Sequence, residues 1–129
     1  MRLLLDTHVW LWLQAEPERL SPRALDAVTD DGNDLILSAA SSWEIAIKFA
    51  LGKIGLPEPP ATYVPSRMQR NGVEGLPVEH RHALAVSALP QHHRDPFDRL
   101  LVAQASEDDL TIVTADPAFA AYDVDRIDA

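Results

Sequence analysis

Short apolar runs alternate along the chain with stretches in which apolar residues recur at helical spacing. A short apolar run bounded by turn residues is typical of a buried strand, and recurrence every three or four positions is typical of a helix that covers a sheet. The alternation therefore predicts an α/β fold, a three-layer sandwich in which helices flank a central, mainly parallel sheet of four to five strands. The predicted strands are residues 3–5, 35–37, 73–76 and 111–114, with a weaker fifth at 124–127.

Capping residues and helix breakers limit the predicted helices. Ser21 followed by proline is a typical helix start, and Gly32 is the expected stop of that helix. A longer helix is predicted from Ser38 or Ser41 to Leu51. The proline-rich residues 57–60 are interpreted as a stiff connector. Further helices are predicted at residues 63–70, 80–89 and 96–106.

The helix that should follow the first strand is unusual, because its sequence Val9-Trp10-Leu11-Trp12-Leu13 is apolar on every face. A surface helix needs only one apolar stripe. Part of this segment should therefore be covered by another element, and a dimer interface or a partner helix would cover it as well as the core of the chain itself.

Composition limits the class of protein. With 129 residues, of which 47% are hydrophobic, the chain is expected to form a single domain, residues 1–129. No stretch approaches the roughly 20 apolar residues that span a bilayer, so we expect a cytoplasmic protein without membrane association. Because there is no cysteine, any metal would be held by oxygen or imidazole ligands.

The net charge of -9 argues against nucleic acid as a partner, because affinity for phosphates comes mainly from lysine and arginine. Residues 67–94 are an exception, since their arginines outnumber their acidic residues. This segment could form one basic surface beside an acidic site, or it could carry ordinary solvated charges. Its arginines are Arg67, Arg70, Arg81 and Arg94.

Acidic residues stand at the ends of predicted strands and the starts of predicted helices. Asp6 directly follows the first strand, and Asp116 follows the strand at 111–114 after one intervening residue. Glu44 lies early in the helix after the second strand, and Asp98 lies in the first turn of the last long helix. Ligand sites in open parallel sheets lie beyond the carboxyl ends of the strands, so all four carboxylates are expected to face one crevice.

A cluster of this kind predicts a metal site. Neighbouring carboxylates repel one another unless a cation neutralises them, and oxygen ligands select the hard ions Mg²⁺ and Mn²⁺. Such an ion promotes phosphodiester hydrolysis by activating water and by stabilising charge on the leaving oxygen.

Each acidic residue also has a structural explanation when it is taken alone. Asp6 and Asp116 could cap the elements that follow them, and Glu44 could complete a capping box with Ser41. Asp98 would be favoured by the dipole of its helix. These structural roles do not require all four acids to lie at the same edge of the sheet.

Nearby polar residues could support the cluster. Thr7 or Thr114 could orient a carboxylate or a water molecule through its hydroxyl group. Asp95 precedes a proline, which is the pattern of a helix N-cap, so we expect it to be structural rather than a metal ligand.

Four segments in combination resemble the PIN domain, and specifically the VapC toxins of bacterial type II toxin–antitoxin pairs. The likeness covers nearly the whole chain. The segments are Leu4-Leu5-Asp6-Thr7-His8; Ser41-Ser42-Trp43-Glu44-Ile45-Ala46-Ile47-Lys48 with Leu51-Gly52-Lys53; His93-Arg94-Asp95-Pro96-Phe97-Asp98-Arg99-Leu100-Leu101-Val102-Ala103-Gln104-Ala105; and Val113-Thr114-Ala115-Asp116 with Phe119 and Tyr122.

The resemblance implies a parallel sheet flanked by helices and endoribonuclease activity that depends on Mg²⁺ or Mn²⁺. It also implies a homodimer, and inhibition by a VapB-type antitoxin encoded beside the toxin. The family's catalytic acidic positions fall on Asp6, Glu44, Asp98 and Asp116, of which the three aspartates are expected to hold the metal. Its frequent hydroxyl position falls on Thr114. A structured RNA such as a transfer RNA is the substrate that the family suggests.

Two arginines flank the start of the last long helix and are possible RNA contacts. Arg94 and Arg99 could bind the phosphates on either side of the bond that is cut.

Other functions remain open. A phosphatase or receiver that forms an aspartyl phosphate also places an aspartate after a parallel strand. A phosphatase of that class, however, would need an aspartate where His8 stands, and a receiver would need a late lysine, whereas the lysines here are Lys48 and Lys53. A catalytically silent PIN-like interaction module would keep the fold and bind a partner's arginine in the acidic pocket.

A zinc site is a further alternative, because histidines are concentrated in one part of the sequence. Their spacing matches no strong zinc signature. The histidines concerned are His80, His82, His92 and His93.

Overall fold

The structure is a computed structural model that describes residues 1–91 and 95–129. In these residues one five-stranded sheet has the strand order β3-β2-β1-β4-β5, and every pair of neighbouring strands is parallel. This confirms the predicted α/β fold with a parallel sheet flanked by helices. The strands are β1 (Arg2–Leu5), β2 (Asp34–Ser38), β3 (Glu74–Leu76), β4 (Thr111–Thr114) and β5 (Arg126–Asp128).

Strand β1 lies at the centre of the sheet, where Leu4 is in register with Ile36 on one side and Ile112 on the other. The three leucines that end this strand are completely buried. A strand covered on both faces needs apolar residues at every position, which explains the uninterrupted apolar run.

Helices connect the strands and cover both faces of the sheet. Their starts follow ordinary capping chemistry: the Ser21 hydroxyl accepts a hydrogen bond from the backbone of Ala24, and the Ser38 hydroxyl accepts one from Ala40. The helices are α1 (Thr7–Ala15), α2 (Pro22–Thr29), α3 (Ala39–Ala50), α4 (Pro60–Asn71), α5 (His80–Ala85) and α6 (Pro96–Asp108), with 3-10 turns at Pro17–Arg19, Val86–Ala88 and Pro117–Ala121.

The core consists of two apolar clusters that use alternate residues of the same strands. Leu3 and Leu5 belong to one cluster, whereas Leu4 belongs to the other. Successive side chains of a strand point to opposite faces, so the two clusters lie on opposite sides of the sheet. Residues from α1, α2 and α4 complete the first cluster, and residues from α6 complete the second.

The apolar helix α1 is largely covered by its own chain. Val9 and Trp10 are fully buried, and the Trp10 ring packs edge-on against Tyr63 at 6.1 Å between centroids. Trp12 is partly buried, with the guanidinium of Arg19 lying 4.3 Å from the centre of its ring. A second subunit or partner helix is therefore not needed to explain Trp10.

Several predicted boundaries are wrong by a few residues. Helix α2 ends at Thr29 instead of continuing to Gly32, because the Asp30 side chain accepts the Gly32 amide in a tight turn. Pro60 opens α4 instead of belonging to the connector, since proline is compatible with the first turn of a helix. The helix predicted at 80–89 divides into α5 and a 3-10 turn.

Within the described ranges, no helix is long and apolar enough to cross a membrane.

Candidate active site

Asp6 and Asp116 come together because β1 and β4 are neighbours in the sheet. Leu5 is in register with Val113, and the Asp6 amide donates a hydrogen bond to the Val113 carbonyl at 3.0 Å. The Thr114 hydroxyl donates to Asp6 Oδ2 at 2.5 Å and accepts from the Asp116 amide at 3.0 Å. One hydroxyl group therefore connects the two acidic residues.

The two aspartates line one open pocket with a volume of about 260 Å³. His8, Trp12 and Ala115 form the rest of its lining. The pocket lies at the carboxyl ends of β1 and β4, which is the edge where ligand sites of parallel sheets are expected.

Burial dominates the electrostatics of Asp6. The residue is only 5% exposed, and its burial raises the pKa of the carboxyl group above the usual value of 3.8. Hydrogen bonds from Thr114 and the Val9 amide act in the opposite direction, as does the charge of His8, without reversing the shift. A cation in the pocket would remove this cost of ionising Asp6.

Glu44 is also buried, but a lysine compensates its charge. The residue is 3% exposed, and its Oε1 accepts a hydrogen bond from the Thr7 hydroxyl at 2.7 Å. Its Oε2 lies 2.5 Å from Lys48 Nζ, four residues further along α3. Thr7 Oγ1 also lies 3.0 Å from the Ser41 hydroxyl. Because Thr7 follows Asp6 directly, it connects the end of β1 to Glu44.

Lys48 lies in the electrostatic field of several acids. Its hydrogen bond to Glu44 raises the pKa of the lysine, burial acts against this, and the charges of Glu44, Asp95 and Asp98 raise it further. Helix α3 and the start of α6 therefore face each other with Lys48 between their carboxylates. Lys48 is not among the site residues predicted from the sequence, although its spacing of four positions from Glu44 is the pattern of a helix ion pair.

Asp95 caps the start of α6, as its position before a proline predicts. Its Oδ1 accepts hydrogen bonds from the amides of Phe97 at 2.9 Å and Asp98 at 3.3 Å, which is N-cap geometry. Asp98 lies in the first turn of the helix and is partly buried.

Capping also involves some of the other acids. Asp6 accepts from the Val9 amide, and Asp116 accepts from the Ala118 amide at 2.9 Å, so both cap the elements that follow them. The capping box suggested for Glu44 is wrong, because α3 begins earlier and Ser38 caps it. Glu44 therefore has no capping role and accepts hydrogen bonds from Thr7 and Lys48 instead.

The structure groups the predicted acids in two adjacent sets. Asp6 and Asp116 share the pocket, whereas Glu44 and Asp98 lie around Lys48. No set of three or more His, Cys, Asp or Glu side chains within residues 1–91 and 95–129 is close enough to hold an ion in common. The oxygen donors suit Mg²⁺ or Mn²⁺ in their chemistry. The carboxylates would have to move closer together to bind one jointly.

Arg99 does not have the position expected of an RNA contact. It is only 8% exposed, and its guanidinium donates hydrogen bonds to the carbonyls of Val86 at 3.1 Å and Pro90 at 3.0 Å. These bonds fasten the segment after α5 to α6. Arg94 lies outside the described residues, as do His92 and His93.

The zinc alternative is not supported at His82. Its side chain is fully buried, Nδ1 accepts a hydrogen bond from the Glu79 amide, and Nε2 lies 3.0 Å from Asp108 Oδ2. Both ring nitrogens therefore have protein partners. Arg81 also contacts Asp108 and Glu79, so the basic segment is at least partly neutralised by local ion pairs.

The sequence was compared with known protein families and with individual proteins. The model of the PIN domain matches residues 3–125. The chain belongs to the PIN domain family. It is 33% identical over 114 residues to Ribonuclease VapC22 of Mycobacterium tuberculosis, a match that covers 88% of this PIN domain chain and 86% of that protein. It is 49% identical over 76 residues to Ribonuclease VapC16 of the same organism, where the match covers 54% of each chain.

Solved structures show the same PIN fold at low sequence identity. The crystal structure of VapBC2 from Rickettsia felis, bound to a DNA fragment from its promoter, contains a chain with a TM-score of 0.71 and 14% identity. That match covers 99% of this PIN domain and 98% of the other chain. A chain of FitAcB from Neisseria gonorrhoeae matches with a TM-score of 0.63 and 21% identity, covering 98% and 96% of the two chains.

Proposed function

We propose that this PIN domain is an endoribonuclease that hydrolyses RNA phosphodiester bonds and acts as the toxin of a toxin–antitoxin pair. The observation that carries the proposal is the meeting of Asp6 and Asp116 in one pocket at the carboxyl ends of β1 and β4. The names of the relatives, Ribonuclease VapC16 and Ribonuclease VapC22, support the same activity.

The proposed cofactor is Mg²⁺ or Mn²⁺, with Asp6, Asp98 and Asp116 as ligands. When bound, the ion would supply Lewis acidity and neutralise charge at the phosphate. The chain's own part is to orient the Asp6 carboxylate, which accepts hydrogen bonds from the Thr114 hydroxyl and the Val9 amide. A buried carboxylate fixed in this way needs little further ordering before it binds a cation.

The remaining acid, Glu44, is proposed to be catalytic without binding the metal directly. Thr7, which follows Asp6 directly, and Lys48 fix its carboxylate. Its negative charge can orient a donor group such as the attacking water.

The proposed partners are RNA, an antitoxin of the VapB type and a second copy of the chain. The VapBC2 and FitAcB structures named above support the antitoxin. For the antitoxin, the chain is co-expressed with the product of a neighbouring antitoxin gene, and growth should be rescued and the two proteins should co-purify. For the second copy of the chain, light scattering should give the mass of a dimer. With this function the chain is expected to work in the cytoplasm.

The test of the nuclease proposal is RNA cleavage by the purified protein with and without metal. Cleavage should require Mg²⁺ or Mn²⁺, and EDTA should abolish it. Asp6→Asn should reduce the rate by about 100-fold or more, as expected when one fixed electrostatic contact to the reaction is lost. The matched control is Asp26→Asn on the exposed face of α2, which should retain full activity.

Two outcomes would contradict the proposal. Cleavage that persists in EDTA, or that survives Asp6→Asn, would remove the metal mechanism. A protein that binds its antitoxin but cleaves no RNA with any divalent ion would be the silent interaction module instead.

A further inference from the structure

The buried ion pair of Glu44 and Lys48 adds a feature that the proposed function does not require. Both carboxylate oxygens of Glu44 already have donors, the Thr7 hydroxyl on Oε1 and the Lys48 ammonium on Oε2. Glu44 is almost completely buried, whereas the Lys48 side chain is 32% exposed. The ammonium is therefore the more exposed partner of this ion pair.

An ammonium at this distance occupies the place that a metal ion would need. A divalent ion binds a carboxylate oxygen at about 2.1 Å, and Lys48 Nζ lies 2.5 Å from Glu44 Oε2. The ion could use the other lone pair of that oxygen only at close range to the positive charge of the lysine, which would repel it. The Lys48 contact therefore disfavours direct coordination of a divalent ion by Glu44.

The surroundings of Lys48 are negatively charged. Three acids, Glu44, Asp95 and Asp98, act on its ammonium group from α3 and the start of α6. Two-metal nucleases place their ions roughly 3.5–4 Å apart, with carboxylates on both sides. Lys48 contacts Glu44 and is not one of the residues that line the pocket of Asp6 and Asp116.

We propose that Lys48 is a built-in cation of the active site, which holds Glu44 in place and fills the position of a second divalent ion. The site consequently binds one exchangeable divalent ion, on the side of Asp6. Lys48 is a positioning residue in this scheme, because it acts through Glu44. The inference rests on the proposed function, since it assumes that the acidic crevice binds metal.

The experiment counts the Mn²⁺ ions bound per folded chain by equilibrium dialysis. The parent protein should bind about one ion, and Lys48→Met should bind about two, because Glu44 then becomes available as a ligand. The double variant Lys48→Met/Glu44→Gln should return to about one ion, since it lacks the carboxylate as well as the lysine.

Two further variants separate charge from structure. Lys48→Arg keeps the positive charge and should bind about one ion, like the parent. The control Lys53→Met removes an exposed lysine after the end of α3 and should also leave about one ion bound. If Lys48→Met does not fold, Lys48→Gln takes its place, because its amide can still donate to Glu44 without carrying charge.

The outcomes distinguish this inference from the proposed function. Two ions bound by the parent, or one ion bound by Lys48→Met and Lys48→Gln, would overturn the role of Lys48 while the nuclease proposal stands. Absence of Mn²⁺ binding by every variant would overturn both. A second ion that appears without Lys48 and disappears again without Glu44 is the result that supports the inference.

Discussion

Asp6 and Glu44 are two buried carboxylates at one crevice, and different kinds of hydrogen-bond donor surround them. Asp6 receives hydrogen bonds from a hydroxyl and an amide, which are neutral dipoles. Glu44 receives one hydroxyl and one ammonium. Both residues are less than 6% exposed, so the difference lies in the partners and not in the burial.

A buried carboxylate can accept hydrogen bonds and still lack an opposite charge beside it. The dipoles around Asp6 leave its pKa raised, because they do not outweigh the loss of water. The ammonium beside Glu44 supplies the opposite charge within the fold itself. A cation from solution therefore has most to contribute at Asp6.

The largest effect is expected when the lysine is removed in the absence of metal. Lys48→Met would leave the Glu44 carboxylate buried without its counter-ion and should lower the free energy of unfolding by about 3 kcal/mol. This is the lower end of the range for broken buried pairs, because the partial exposure of Lys48 would allow water to reach Glu44. Urea unfolding in metal-free buffer measures the change.

Two controls accompany that measurement. Lys53→Met should change the stability by no more than about 0.5 kcal/mol, as is usual for exposed positions. The double variant Lys48→Met/Glu44→Gln should recover much of the loss, because it leaves no buried charge unpaired. If Lys48→Met were as stable as Lys53→Met, the Lys48 ammonium would not be needed to compensate the buried charge of Glu44.

An effect of opposite sign is expected at Asp6. Asp6→Asn should raise the melting temperature without metal, by roughly 3 °C, since it removes a buried charge. Asparagine can still accept from the Val9 amide, because it caps helices as well as aspartate does. Added Mg²⁺ should stabilise the parent more than the variant. A lower melting temperature for Asp6→Asn would contradict the destabilising effect of ionised Asp6 on the metal-free fold.

The smallest expected effect is a pH dependence of the difference in stability between Asp6→Asn and the parent protein. The pKa of Asp6 is raised in the folded protein, so ionised Asp6 destabilises the fold fully above its folded pKa and not at all below the unfolded value near 3.8. The stability advantage of Asp6→Asn should therefore shrink as the pH falls through this window. Urea midpoints of both proteins at a series of pH values measure it, and a constant difference would exclude the titration of Asp6.

Much of the fold could be predicted because its signals are local. The apolar runs at the centre of the sheet and the caps Ser21 and Asp95 depend on neighbouring residues alone. The placement of Asp6 and Asp116 at one edge followed from the rule that parallel strands end on the same side. The C-terminal limit of α2 was missed because the side chain of Asp30 forms a turn before Gly32 is reached.

The division of the site into two charge environments could not be predicted in the same way. The spacing of Glu44 and Lys48 is identical for a solvated surface pair and for a buried one, and only the packing of α3 decides between them. The burial of Arg99 could likewise not be predicted, because it depends on hydrogen bonds to the carbonyls of Val86 and Pro90, in the segment that precedes α6.

The hydrogen bond between Asp6 and Thr114 joins residues that are 108 positions apart. During synthesis Asp6 is made early, but its hydroxyl partner Thr114 is made only after about nine-tenths of the matched PIN region, residues 3–125, has been translated. The central strand must also wait for β4 to dock before the Asp6 amide can reach Val113. Contacts that close such long loops form late in folding. A growing or truncated chain that lacks β4 therefore lacks an assembled acidic pocket, so a harmful activity built on it would begin only once β4 has been made and has docked.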